Sequence, residues 1–200
     1  MAELRAAPPP PHAAPVDADG VAFAVLPHHG RLMVHGRDAD PALTQAVARA
    51  LGFAPPETPN TVTSAGARRA LWLSPGTWRI VGGPDDAAAR LETALREAVP
   101  RALASVVDVS DSYTVIQIRG AGARAALARG CPLDLHARAF GAGRCARSLL
   151  VHNDVLLHQC DDAPSFDVEV RRSVAPYVWS WLTGAPIDSS GLLRGDHTIL

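Results

Sequence analysis

Three cysteines and eight histidines hold most of the nucleophilic and metal-binding potential of this 200-residue sequence. Cys131, Asp134 and His136 lie close together, and a thiol, a carboxylate and an imidazole are the parts of a cysteine-nucleophile triad. Such triads draw their members from distant parts of a chain, and Pro132 pushes Cys131 towards an extended loop. The pattern therefore predicts a buried structural thiol. Cys145, His152, His158 and Cys160 form a second group, with donors that zinc accepts. Structural zinc sites use tight pairs such as C-x-x-C, and the sequence has none. His158 and Cys160 alternate on one face of an apolar strand, which predicts a hydrogen-bonded imidazole beside a packed thiol. On this reading the three thiols are reduced and metal-free, and the chain has no catalytic, cofactor-binding or metal-ligating residue of its own.

Gly120-Ala-Gly122-Ala-Arg-Ala125 fits the loose dinucleotide pattern G-x-G-x-x-A between a strand and a helix. That chemistry needs a long helix followed by a parallel strand, whereas here a short helix runs into a Cys-Pro loop. A plain strand-to-helix turn is the expectation. Asp85-Asp86 reads as a helix start, Asp161-Asp162 and His28-His29 as turns, and Arg171-Arg172 as a solvated or partner-facing pair.

The elements that position these residues follow from punctuation and periodicity. Val21–Leu26 and Arg31–His35 read as two strands around a turn. Asp40-Pro41 opens a helix that Gly52 closes. Thr61–Ser64, Arg69–Leu73 and Trp78–Val81 follow as strands, with Pro75-Gly76 as a turn. Pro84-Asp85-Asp86 starts a helix with Ala88, Leu91, Leu95, Ala98 and Val99 on one face. The second half repeats the rhythm: strands at Ser105–Val109 and Tyr113–Arg119, a short helix, then Cys145–Val151, Val155–Cys160 and Phe166–Arg171. Asn153-Asp154 reads as the turn splitting the first two of those three. A last helix, capped by Ser173, puts Trp181 on its apolar face and turns Trp179 off it, to an interface or a core edge. The predicted class is α+β: two pseudo-repeated lobes of mainly antiparallel sheet with flanking helices. Residues 1–20 are expected to be a Pro/Ala-rich tail, 21–103 the first lobe, 104–183 the second, and 184–200 an irregular tail.

Nineteen cations, all Arg, against twenty acids give a net charge of -1, which argues against a nucleic-acid binder. Apolar runs are too short to span a bilayer, and residues 1–20 lack the pattern of an export signal, so the cytoplasm is the expected compartment.

The stretch Val107-Asp108-Val-Ser110-Asp111-Ser112-Tyr-Thr-Val-Ile-Gln-Ile-Arg-Gly120, continued by Gly130-Cys131-Pro132-Leu133-Asp134-Leu135-His136 and Phe140, resembles the gamma subunit of heterotetrameric sarcosine oxidase. So do Leu156-Leu157-His158, Asp162-Ala-Pro164-Ser-Phe166-Asp167-Val168, Arg171-Arg172-Ser173 and Tyr177-Val-Trp179-Ser-Trp181-Leu182. The resemblance is specific over residues 105–183 and looser upstream, at Leu73-Ser74-Pro75-Gly76-Thr77-Trp78. More distantly, Asp108-Val-Ser110 and the helix start at Gly120 resemble the folate-binding aminomethyltransferase fold, which implies the same two-lobed architecture. The family resemblance implies a non-catalytic subunit of a complex that oxidises sarcosine to glycine. The products would be hydrogen peroxide and formaldehyde, or methylenetetrahydrofolate where tetrahydrofolate is present. It implies alpha, beta and delta partner subunits, with FAD, FMN, NAD and tetrahydrofolate on the alpha and beta chains and zinc on delta. The alternatives are a stand-alone folate-binding or one-carbon-transfer protein, and a subunit of a related N-methyl amino acid dehydrogenase.

Overall fold

The computed structural model describes residues 15–184 apart from 19, 39, 83 and 84. The first half runs β1 (Val16–Ala18), β2 (Val21–Val25), β3 (Arg31–Gly36), α1 (Pro41–Leu51), β4 (Val62–Ala65), β5 (Arg68–Ser74), β6 (Thr77–Val81), α2 (Asp85–Ala98) and β7 (Ala104–Asp108). The second runs β8 (Tyr113–Arg119), α3 (Ala123–Ala128), β9 (Cys145–Leu150), β10 (Asn153–Asp161), β11 (Ser165–Arg171) and α4 (Ala175–Thr183). The strands form a five-stranded sheet, β4-β5-β6-β3-β7, and a six-stranded sheet, β1-β2-β8-β11-β10-β9. Mixed α and β elements on antiparallel sheets agree with the α+β class read from the sequence.

One compact unit comprises residues 27–110 and 142–147 and is built on the five-stranded sheet. Helix α1 begins where the Asp40 carboxylate accepts the Ala42 N–H at 2.7 Å, and it closes at Gly52 in the left-handed region. Its stripe of Leu43, Ala46, Val47 and Leu51 meets Leu91 and Leu95 of α2 and the sheet residues Leu32, Val34, Ala70, Trp78 and Ile80. The Trp78 indole N–H reaches the Pro56 carbonyl at 2.8 Å and pins the proline-rich loop to this core.

The second unit comprises the described residues before 27, 111–141 and those from 148 onward. Phe166, Val168 and Val170 of β11 and Ile116 and Ile118 of β8 are buried in the sheet, as are Leu127 of α3 and Val178 of α4. No helix among the described residues is long and apolar enough to cross a membrane.

The division at 103/104 differs from the one the strands make. β2 pairs with β8 and β7 pairs with β3, so each sheet recruits a strand from the other half of the chain. Alternation identifies a strand and its buried face but not its neighbour, and the expected hairpin of β2 with β3 does not form. Residues 16–18, read as tail, add strand β1 through the Val16–Phe23 register. The turn between β9 and β10 is Val151-His152, at φ 49° and 66°, while Asn153 and Asp154 begin β10. Two left-handed residues match the twist of a tight hairpin, and the Asn153 amide closes back on the Val151 carbonyl at 2.8 Å. Ser173 does not cap the last helix: it lies in a 3-10 turn over Arg172–Val174, and α4 starts at Ala175 without a side-chain cap. Pro84, residues 1–14 and 185–200 lie outside the described residues.

Candidate functional site

The sequence candidates separate in the structure. Cys131 is buried, and its Sγ lies 3.6 Å from the Ser148 hydroxyl. Asp134 accepts the His136 backbone N–H at 3.0 Å, and His136 Nδ1 accepts the Arg138 N–H at 3.2 Å. These are local turn bonds on exposed residues, so Cys131, Asp134 and His136 do not assemble into a triad. Cys145 is buried in the other unit, and its thiol reaches the Thr61 and Trp72 carbonyls at 3.3 and 3.5 Å. Burial pushes its pKa up to about 12.

Gly120 ends β8 at φ 111°, and a Cβ there would stand 2.2 Å from the Gly20 carbonyl oxygen. Close backbone approach therefore requires this glycine. Its strand is flanked by antiparallel β2 and β11, which removes the parallel crossover a dinucleotide site needs. The residue of consequence in the motif is Arg124. Its guanidinium donates to the Leu135 carbonyl, to the Phe140 carbonyl at 2.9 Å and to Gln159 Oε1 at 2.9 Å. It also lies over the Phe166 ring, 5.3 Å from the centroid, and Phe166 stacks on Phe140. The loop after Cys131 is thus fastened by one planar cation with several donors. No local sequence signal separates this arginine from a solvated one.

A polar row crosses the sheet of the same unit. His158 stands opposite Asp167 across β10 and β11, and Asp167 stands opposite Gln117 across β11 and β8. Gln117 Nε2 donates to Asp167 Oδ1 at 3.0 Å, and the Cys160 Sγ is 3.7 Å from His158 Nδ1. One donor atom from each of His158, Cys160 and Asp167 falls in a set spanning at most 4.8 Å. Zinc bonds of about 2.0–2.3 Å imply tetrahedral edges of about 3.3–3.8 Å, which the His158–Cys160 separation matches. One Asp167 oxygen is engaged by Gln117, and the row sets a buried carboxylate and a buried imidazole side by side with the half-buried Cys160 thiol. Asp167 was not among the sequence candidates. Counting outward from the 162–164 turn would set it opposite Gln159; a register shift between Gln159 and Asp161 moves it opposite His158, and no local sequence signal marks that irregularity. His152 lies exposed in the hairpin turn, away from this row in register.

Among the charged pairs, Arg171 lies over the Tyr113 ring at 5.8 Å, and an Arg172 nitrogen approaches an Asp111 oxygen at 3.9 Å. Trp179, expected off the apolar face, is buried, whereas Trp181 is half-buried beneath Arg129. After the 3-10 turn over Arg172–Val174, α4 buries Ala175, Val178, Trp179 and Leu182, one position off the stripe read from the sequence at Trp181.

The family model described as "Sarcosine oxidase, gamma subunit family" matches residues 35–188. A sarcosine oxidase subunit gamma from Arthrobacter sp is 33% identical over 141 residues, covering 70% of this chain and 68% of that one. The counterpart from Corynebacterium sp. (strain U-96) is 31% identical over 115 residues, and the match spans 58% of this chain and 54% of that one. A chain in the solved heterotetrameric sarcosine oxidase from Corynebacterium sp. U-96, in complex with pyrrole 2-carboxylate, superposes with TM-score 0.76 at 25% identity. That match covers 85% of this chain and 86% of the other. Glycine cleavage system aminomethyltransferase T from Bartonella henselae shares the fold, at TM-score 0.61 and 13% identity, over 86% of this chain and 47% of that one. The chain belongs to the sarcosine oxidase gamma subunit family.

Proposed function

We propose that this chain is the non-catalytic gamma subunit of a sarcosine-oxidase-like complex. The observation that carries the reading is the superposition on a chain of a heterotetrameric sarcosine oxidase over most of both lengths, together with the family match. The reaction of the complex would be oxidation of the N-methyl group of sarcosine. Sarcosine, dioxygen and water give glycine, formaldehyde and hydrogen peroxide, with methylenetetrahydrofolate replacing formaldehyde where tetrahydrofolate accepts the carbon. The partners would be alpha, beta and delta chains holding FAD, FMN, NAD, tetrahydrofolate and zinc. The chain's own contribution would be a folded surface. The dispersal of Cys131, Asp134 and His136 into local turn and packing contacts supports this reading.

Co-expression with the chain's own large subunits tests it. The expected result is one complex containing all chains, in which Cys131→Ser and His136→Gln leave turnover within a few-fold. True acid–base groups supply on the order of a hundredfold or more. A point variant that assembles fully, keeps its flavins and loses oxidase activity would make this chain a catalyst instead.

A further inference from the structure

Strand β7 ends the five-stranded sheet, with β3 as its neighbour in that sheet. Its register pairs Val107 with Met33 and Ser105 with His35, and the Val109 N–H meets the Arg31 carbonyl at 2.9 Å. Antiparallel pairing alternates, so the backbone groups of Ser105, Val107 and Val109 turn towards β3 and those of Ala104, Val106 and Asp108 turn outward. The Ala104 N–H is taken by the Pro100 carbonyl at 3.2 Å. Among the described residues, the N–H and C=O groups of Val106 and Asp108 have no backbone partner on that side. Within Ala104–Asp108 the edge has no proline, no lysine and no bulge, and its one charged residue, Asp108, turns its carboxylate to the Ser110 N–H and hydroxyl at 2.8 and 2.5 Å. Val107 is 41% exposed beside it.

An open groove of about 440 Å³ runs along this edge, lined by Arg96, Val99, Arg101, Ala104, Ser105 and Val106. Arg101 is exposed and makes no ion pair among the described residues, while Arg96 is held by Glu92. We propose that β7 is a docking edge onto which another chain of the complex adds an extended segment, with an acidic side chain of that segment meeting Arg101. The inference rests on the subunit reading above. The row of outward backbone groups selects a strand over a helix, because only an extended segment matches their spacing along the edge. The exposed guanidinium selects an acidic side chain.

Hydrogen exchange resolved to single amides, on the chain alone and in the co-expressed complex, tests this. The Val106 and Asp108 amides should slow at least about tenfold in the complex, whereas Ser105 and Val107, already bonded to β3, should change little. Arg101→Glu and Val107→Lys, both on exposed side chains, should each weaken assembly about tenfold while leaving the thermal midpoint of the chain unchanged. A complex that forms with Val106 and Asp108 still open overturns the docking edge and leaves the subunit reading standing. Failure to form any complex overturns both. Protection that rises with the concentration of the chain alone would mean pairing with a second copy, and also overturns the proposal.

Discussion

Arg124 and Gln159 meet at 2.9 Å, guanidinium to side-chain carbonyl, and join the short helix α3 to strand β10. Gln159 is buried and turns its own amide to the Asp161 carbonyl at 2.9 Å, so both ends of the side chain are satisfied. The same arginine holds two carbonyls of the loop between α3 and β9. That loop contains Cys131, Asp134 and His136, the residues whose spacing looked most like chemistry. Its form follows from Arg124 and from packing, with the Phe140 and Phe166 rings 6.4 Å apart.

Arg124→Ala should therefore destabilise the chain by about 3 kcal/mol, because it leaves three acceptors without their donor. Arg124→Lys should recover little, since a compact ammonium does not reproduce the planar fork. Urea midpoints measure both variants. Proteolysis should nick the Ala variant within residues 131–144 before the parent is cut.

The hairpin turn gives the opposite sign. His152 is exposed at φ 66°, a region that costs a side chain roughly 1 kcal/mol and glycine almost nothing. His152→Gly should stabilise by about 0.5–1 kcal/mol and raise the thermal midpoint by about 1–4 °C. A lower midpoint would mean that the imidazole holds the turn. Val151 is less suited to replacement, because its Cγ2 would be 3.2 Å from a Cβ built on Gly130, so the side chain is packed there.

What was legible in the sequence was local. Asp40, Pro41 and Gly52 define α1 because a cap is made by residues two to four positions apart. Partner choice was not legible. Strands β2 and β7 each satisfy the alternation expected on either sheet, and only tertiary packing selects β8 for one and β3 for the other. The helix at Ala175 shows a related limit. A serine at position 173 resembles a cap, but it lies in a 3-10 turn, and packing against the rest of the unit, which the sequence alone does not show, buries Trp179. Asp167 was hidden for a third reason: in the sequence it is one of two acids, with Glu169, that alternate with Phe166, Val168 and Val170, and only the shifted register across β10 and β11 sets it against His158.

Trp179, read from the sequence as a possible surface anchor, becomes a test of the core. It is 2% exposed, so Trp179→Ala should cost about 3–5 kcal/mol of stability through the cavity it leaves. Its effect should appear in the urea midpoint of the chain. A variant with unchanged stability and weakened assembly would restore the anchor reading.

The last prediction concerns Cys145 and has a definite sign. Its thiol pKa rises from 9.0 to about 12 through burial, with hydrogen bonding to Trp72 and the nearby Arg144 charge acting in the opposite direction. In the unfolded chain the thiol loses its proton near pH 9, whereas in the fold it stays protonated to about pH 12. Below pH 9 both states bind the proton and the shift has no pH-dependent effect. As pH climbs from 9 towards 12 the unfolded state is favoured by ionisation that the folded state resists, so stability falls across that window. Cys145→Ala should flatten this alkaline slope in urea titrations between pH 9 and 11. The same burial makes the thiol a poor nucleophile at neutral pH. A maleimide reagent at pH 7.5 should label half-buried Cys160 first and leave Cys145 untouched until denaturant is added. Rapid labelling of Cys145 in the native protein would show that the strand is open there, and the alkaline slope should then be absent as well.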